Sequence, residues 1–111
     1  MNKIVLCVKP ELKPIVPTFL QDQKQELDAL REALHTWDFG TISELGEHMY
    51  ELGNEYGFEF FAETGAAIRQ SARYRDACEI CRHIVEIKKY MENLEVVYRD
   101  MPGGYFISSL A

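Results

Sequence analysis

Four glutamates and one histidine lie in a short stretch of the chain at helical spacing. The glutamates recur at steps of three and four residues, which places them on one side of a helix. This acidic stripe comprises Glu44, Glu47, Glu51 and Glu55. Clustered carboxylates could bind a divalent cation or act as an acid and base pair, although such a row is commonly a face turned to water. His48, inside the stretch, could act as a nucleophile.

The position of His48 on its predicted helix argues against that chemistry. Successive residues of a helix turn by about 100°. On a helical wheel drawn with this angle, the apolar residues form one stripe, which comprises Ile42, Leu45, Met49, Leu52 and Tyr56. Glu47 then points away from the stripe, and we expect His48 at the edge of the core. The outer face offers four residues to a partner, namely Glu47, Tyr50, Glu51 and Asn54.

A second candidate site is the pair Cys78 and Cys81, with His83 two residues further on. Two thiols at this spacing invite a metal or redox interpretation. The chain has no second such pair and no βαβ pattern that would support a thioredoxin-like site. We therefore expect the cysteines to pack as small apolar side chains, and we predict no metal and no cofactor. A metal- or redox-linked helical protein built on these thiols and the glutamates is kept as an alternative.

The net charge of −6 comes from the middle of the chain. Between Arg31 and Arg69 there are eight acids and no lysine or arginine. This distribution argues against nucleic acid and anionic membrane surfaces as partners, since both require clustered cations. The chain has no apolar run long enough to span a membrane and no pattern of a signal peptide. Without an export signal we predict a cytoplasmic protein. Its three cysteines, an odd number, fit reduced thiols better than a disulfide framework.

The apolar spacing predicts four amphipathic helices joined by short connections. The first begins at Thr18, the second opens with a capping box over residues 41–44, the third follows Phe58, and the fourth runs from the N-cap Asp76 to Tyr98. This pattern predicts an all-α fold, an antiparallel up-down-up-down four-helix bundle over residues 18–100 of a single domain. Residues 1–17 form an extended or short-helical N-terminal arm, since a strand without a partner is unstable. Residues 101–111 form a tail.

The second helix and its flanks resemble the bacterial histidine-phosphotransfer (HPt) domain family. The family signature is close to L-G-H-K-x-K-G-x-G-x-x-Y-G-F, and residues 45–58, LGEHMYELGNEYGF, match its beginning, its second glycine and its end without a gap. Residues 10–20, PELKPIVPTFL, are similar to the family's entry segment. Four further residues are similar to its third helix, namely Phe61, Gly65, Ile68 and Ala72. The likeness covers about residues 4–98.

The chain departs from this family at the residues that carry its chemistry. Glu47 stands at the position of the phospho-accepting histidine, Tyr50 at that of a lysine and Glu51 at that of a small glycine. These changes remove the nucleophile and add negative charge, so both oppose phosphoryl transfer. The resemblance therefore implies a signalling protein of two-component or phosphorelay type that is not an enzyme.

The same resemblance implies how such a protein would bind a partner. The expected partner-binding residues are Glu44, Glu47, His48, Tyr50, Glu51, Asn54 and Glu55. The partner is a receiver domain, a histidine kinase or another protein with a basic surface. Because receiver pockets are acidic, the stripe predicts either a basic docking surface or weak binding that salt strengthens. The alternative is an active phosphotransfer protein that uses His48. Oligomeric state is not predicted.

Overall fold

Four α-helices and a small sheet make up the structure, a computed structural model that describes residues 3–99 and the backbone of residues 106–109. The helices are α1 (Val16–His35), α2 (Phe39–Tyr56), α3 (Glu59–Arg73) and α4 (Ala77–Glu92). The strands are β1 (Lys3–Val8), β2 (Leu94–Tyr98) and β3 (Phe106–Ser109), and a 3₁₀ helix spans Pro10–Leu12. The prediction of a mainly helical fold with four helices is confirmed, but the all-α class omitted the sheet.

Two turns of the same design connect α1 to α2 and α3 to α4. Each has a non-glycine residue in the left-handed region, Trp37 and Arg75, both at φ 56°. An aspartate then caps the following helix. The Asp38 carboxylate accepts hydrogen bonds from the backbone N–H and the hydroxyl of Thr41, and Asp76 accepts one from the N–H of Glu79. The N-cap predicted at Asp76 is confirmed, whereas α2 begins at Phe39, two residues before the predicted capping box.

The closest helix contact is between α2 and α3, and glycines make it. A Cβ on Gly65 would lie 2.5 Å from the backbone nitrogen of Tyr50, and one on Gly53 would lie 2.5 Å from that of Ala62. Gly46 packs in the same way against the backbone at Gly65 and Arg69. No real side chain fits at these separations, so the two backbones pack together directly. Large apolar residues from all four helices fill the remaining core.

The sheet joins the two ends of the described chain. β1 lies in the middle, parallel to β2 with Ile4 opposite Leu94, and antiparallel to β3 with Val5 opposite Ile107. One face of β1 and β2 packs on the helical core through Leu6, Val8 and their neighbours. The predicted arm is therefore a paired strand followed by the 3₁₀ helix, and α1 begins two residues earlier than expected.

The fourth helix is shorter than the sequence pattern indicated. It ends at Glu92, and residues Leu94–Tyr98, which the apolar spacing predicts to continue it, form β2. The segment LEVVY contains β-branched valines, which favour a strand, and β1 supplies the partner that a lone strand lacks. In the tail, residues 106–109 form β3, and the rest of 101–111 lies outside the described residues. Among the helices of the described chain, none has the length and apolarity required to cross a bilayer.

Candidate functional site

The buried side of α2 differs from the predicted one. Its buried residues are Ile42, Gly46, Met49 and Gly53. This face is turned by about 50° from the predicted apolar stripe, because the two glycines carry the contact with α3. The residues directly opposite it are three exposed carboxylates, which we name the outer carboxylates: Glu44, Glu51 and Glu55. Glu47 and His48 lie on the two sides of this row.

Glu47 faces α3 and is paired with a cation from that helix. Its carboxylate accepts a hydrogen bond from Nη1 of Arg69. The same guanidinium lies 5.2 Å from the centre of the Tyr50 ring, which is a cation–π distance. About 34% of the Arg69 side chain and 42% of the Glu47 side chain are exposed. The prediction placed Glu47 at the centre of the exposed face, but the structure places it on one shoulder in a cluster with Tyr50 and Arg69.

His48 faces α1 and is exposed. Its side chain is 56% exposed, and its Nδ1 is paired with the Oε1 of Glu26, a side chain only 13% exposed. We expected His48 at the edge of the core, and the rotation of α2 explains the difference. If Nδ1 carries the proton that Glu26 accepts, Nε2 carries the lone pair and can act as a nucleophile. In the described residues no lysine or arginine forms an ion pair with either member of this dyad.

The outer carboxylates have no such partners. In the described part of the chain, the carboxylates of Glu44, Glu51 and Glu55 form no ion pair or hydrogen bond, and Asn54 beside them is also exposed. The acidic stripe therefore divides into Glu47, which Arg69 neutralises, and three carboxylates that repel one another, with Glu51 four residues before Glu55 and seven residues after Glu44. Such repulsion costs a few tenths of a kcal/mol per pair at helical spacing. A cation brought by another molecule would relieve it.

Two cavities lie beside the last turns of α2, at the Glu55 end of this surface. One, of about 280 Å³, lies between the start of α1 and the last turns of α2, and Ile15, Asp22, Leu52 and Tyr56 are among its lining residues. The other, of about 490 Å³, lies between the end of β1 and the turn from α2 to α3. Asn54 and Glu55 line this second cavity together with Lys9. No local sequence pattern predicts either cavity, since each is formed by segments far apart in the chain.

The cysteines of α4 do not pack in the core. Cys78 and Cys81 are both exposed, whereas His83 is buried and its Nδ1 lies 3.0 Å from Oε1 of Glu86. The expectation that the thiols pack as small apolar side chains is wrong, because they lie on the side of α4 that faces away from Ile80, Ile84 and Ile87. Within the described residues, no group of three or more His, Cys, Asp or Glu side chains could hold a metal ion.

Two residues that matter to this site were missed at the level of sequence. Arg69 is the first basic residue after the acidic middle of the chain, and this position is the one sequence feature that indicates a role for it. Glu26 had no signal, since its role depends on the contact between α1 and α2. In comparisons with known proteins, no protein-family model, no curated protein and no solved structure matches the chain.

Proposed function

We propose that the protein is an HPt-like signalling protein of two-component or phosphorelay type that binds a partner protein and does not itself transfer a phosphoryl group. In this proposal its four helices form an antiparallel up-down-up-down bundle, it acts in the cytoplasm, and Glu47 stands where the family has its phospho-accepting histidine. The observation that carries the proposal is the pairing of Glu47 with Arg69 on an otherwise acidic helix face.

The pairing supports a binding role in place of catalysis. A carboxylate held by a guanidinium is a poor nucleophile for an acyl phosphate, and the cation that could offset phosphoryl charge is already neutralised by Glu47. The cluster of Glu47, Arg69 and Tyr50 retains two charged groups and an aromatic ring that a partner surface can contact. It supplies no group that would accept a phosphoryl group at neutral pH.

The outer carboxylates support a partner with a basic surface. They are exposed, unpaired in the described residues and arranged along about three turns of one helix. An acidic receiver pocket would meet like charges here, whereas lysine or arginine side chains would form ion pairs and speed association. The proposed partner is therefore a receiver domain, a histidine kinase or another protein that presents a basic docking surface, and neither nucleic acid nor a membrane.

The test is charge reversal on the outer carboxylates, with binding measured against purified receiver and kinase domains from the source organism. The double variant Glu51→Lys, Glu55→Lys should lower the affinity for a partner with a basic surface by at least about tenfold, which corresponds to about 1.4 kcal/mol of binding free energy. The loss should shrink as salt is raised. Glu92→Lys is the matched control, since Glu92 is an exposed acid near the end of α4. Equal effects of the control and the test variant would contradict the proposed surface.

A second candidate function, phosphotransfer through His48, is favoured by its pairing with Glu26. Nε2 of the imidazole would attack the phosphorus of an aspartyl phosphate, forming a P–N bond. The acyl P–O bond would break and the aspartate would leave as a carboxylate, while Glu26 shares the Nδ1 proton. The nearby outer carboxylates would repel the phosphoryl group, which is why we place this function second.

Incubation with a phosphorylated receiver domain separates the two functions. The proposed binding module gains no acid-labile phosphate, whereas phosphotransfer through His48 gives a label that His48→Gln abolishes and Glu26→Gln reduces. His35→Gln is the control, because His35 is an exposed histidine on α1. A label that survives His48→Gln would exclude this histidine.

A further inference from the structure

The two cysteines of α4 are exposed, and core packing does not explain their presence. Cysteine is among the residue types most often buried, and Cys7 in β1 follows this rule with 6% of its surface exposed. Cys78 and Cys81 are exposed on the solvent side of α4, and Val85, 45% exposed, extends the same surface by one turn. Two thiols side by side in contact with water are available for chemistry.

Their spacing brings them near the distance of a disulfide. Residues three apart on a helix have Cβ atoms about 5–6 Å apart, and a disulfide requires about 3.5–4.5 Å. The turn that separates them must therefore tighten by about 1–2 Å. Cys78 is the second residue of α4, in the first turn, where the backbone N–H groups have no acceptor within the helix. Tightening there breaks fewer hydrogen bonds than it would in the middle of a helix.

The acidic residue between the two cysteines is paired with an arginine, and the thiolate is the species that reacts. Glu79 lies between the two cysteines in the sequence, but its carboxylate is engaged by Arg82, with Nη2 to Oε2 at 2.6 Å and Nε to Oε1 at 3.1 Å. The negative charge of the residue between the two cysteines is thus neutralised.

We propose that Cys78 and Cys81 form a dithiol that closes to a disulfide by exchange with a low-molecular-weight disulfide such as oxidised glutathione. One thiolate attacks a sulfur of the glutathione disulfide, so that a protein–glutathione mixed disulfide forms and one glutathione thiolate leaves. The second protein thiolate attacks the mixed disulfide and releases the second glutathione. Two protein thiols are oxidised, one glutathione disulfide is reduced, and the two protons go to the released thiolates. This site is independent of the proposed partner-binding function.

The test is incubation of the native full chain with oxidised glutathione, followed by intact mass measurement and titration of free thiols. The wild-type protein should lose two hydrogens and two of its three free thiols, with Cys7 retained. Cys78→Ser and Cys81→Ser should each stop at a single glutathione adduct. Circular dichroism of each variant checks that the helices are intact.

A spacing control distinguishes a dithiol from two independent thiols. Cys81→Ser combined with Val85→Cys keeps two exposed thiols but sets them seven residues apart, about 10 Å along the helix. This variant should keep two glutathione adducts, each replacing one thiol hydrogen, and form no internal disulfide. The proposal is overturned if the wild-type protein keeps two adducts, forms disulfide-linked dimers or does not react, and also if the spacing variant closes as readily as the wild type.

Discussion

The guanidinium of Arg69 on α3 and the carboxylate of Glu47 on α2 form an ion pair beside the glycine contact that joins the two helices. The position of Arg69 depends on that contact, because Gly46 allows the Arg69 backbone to approach α2. The pair divides the acidic stripe into a neutralised carboxylate and the three outer carboxylates. The electrostatics of the α2 surface are therefore set in part by the packing beneath it.

A double-mutant cycle should detect this pair as a weak coupling. We expect Glu47→Gln, Arg69→Gln and the double variant to give a coupling energy of about 0.5–1 kcal/mol in urea unfolding, since both side chains are partly exposed. The coupling should fall in high salt because water and ions screen the pair. Arg73→Gln, an exposed arginine one turn further along α3, serves as the control. A coupling that is absent or insensitive to salt would show that the pair does not persist in solution.

Gly65→Ala should destabilise the protein by about 1–3 kcal/mol or more, because the new Cβ would lie 2.5 Å from the backbone nitrogen of Tyr50 and neither backbone can move aside freely. Gly40→Ala is the matched control in α2. Its Cβ would meet only a carboxylate oxygen of Asp38, at 3.7 Å, and alanine favours a helix over glycine by about 0.5–1 kcal/mol. Urea unfolding measures both changes. Equal effects of the two substitutions would contradict the close packing of α2 on α3.

Asp38 should make stability depend on acid pH. Two hydrogen bonds from Thr41 hold the Asp38 pKa below its usual value. The bond from the hydroxyl has the larger effect and the bond from the backbone N–H the smaller. The folded state thus prefers the ionised form, so the contribution is present above about pH 4. It is lost as the pH falls through the lowered folded pKa.

The free energy of unfolding, measured in urea from pH 7 to pH 2, tests this contribution. The free energy of unfolding of Asp38→Asn should fall less than that of the wild type across the acid range, because the asparagine side chain does not titrate. Thr41→Val removes the hydroxyl bond but keeps the backbone bond, so it should give an intermediate curve. Parallel curves for the wild type and Asp38→Asn would rule out Asp38 as a source of the acid dependence.

Tyr90 should produce the opposite dependence at alkaline pH. Burial raises its pKa to about 12, and its ring stacks on that of Phe60 with centres 3.8 Å apart. The folded state binds the phenolic proton more tightly than the unfolded state does, so stability is lost as the pH rises from about 10 to about 12. The loss should be about 2–3 kcal/mol. The free energy of unfolding of Tyr90→Phe should not show this alkaline loss. A loss of the same size in that variant would show that other groups cause it.

The sequence predicted the helices well because apolar residues at steps of three and four report a buried face directly. It mispredicted the rotation of α2 because Gly46 and Gly53 carry no apolar side chain, yet they form the tightest contact of that helix. It also extended α4 into β2, since Leu94 and Tyr98 continue the helical spacing by chance. The pairings of Glu47 with Arg69 and of His48 with Glu26 join residues 22 apart in the sequence, and no local pattern encodes them.

The parallel pairing of β1 with β2 has a consequence for the order of folding. Ile4 pairs with Leu94 across nearly the whole described chain, whereas each helix contacts its neighbour in sequence through a turn of a few residues. Closing so long a loop is slow relative to local contacts. During synthesis β1 is made before its parallel partner β2, which follows all four helices in the chain. We therefore expect pulsed hydrogen exchange to protect the amides of α2 and α3 before those of β1.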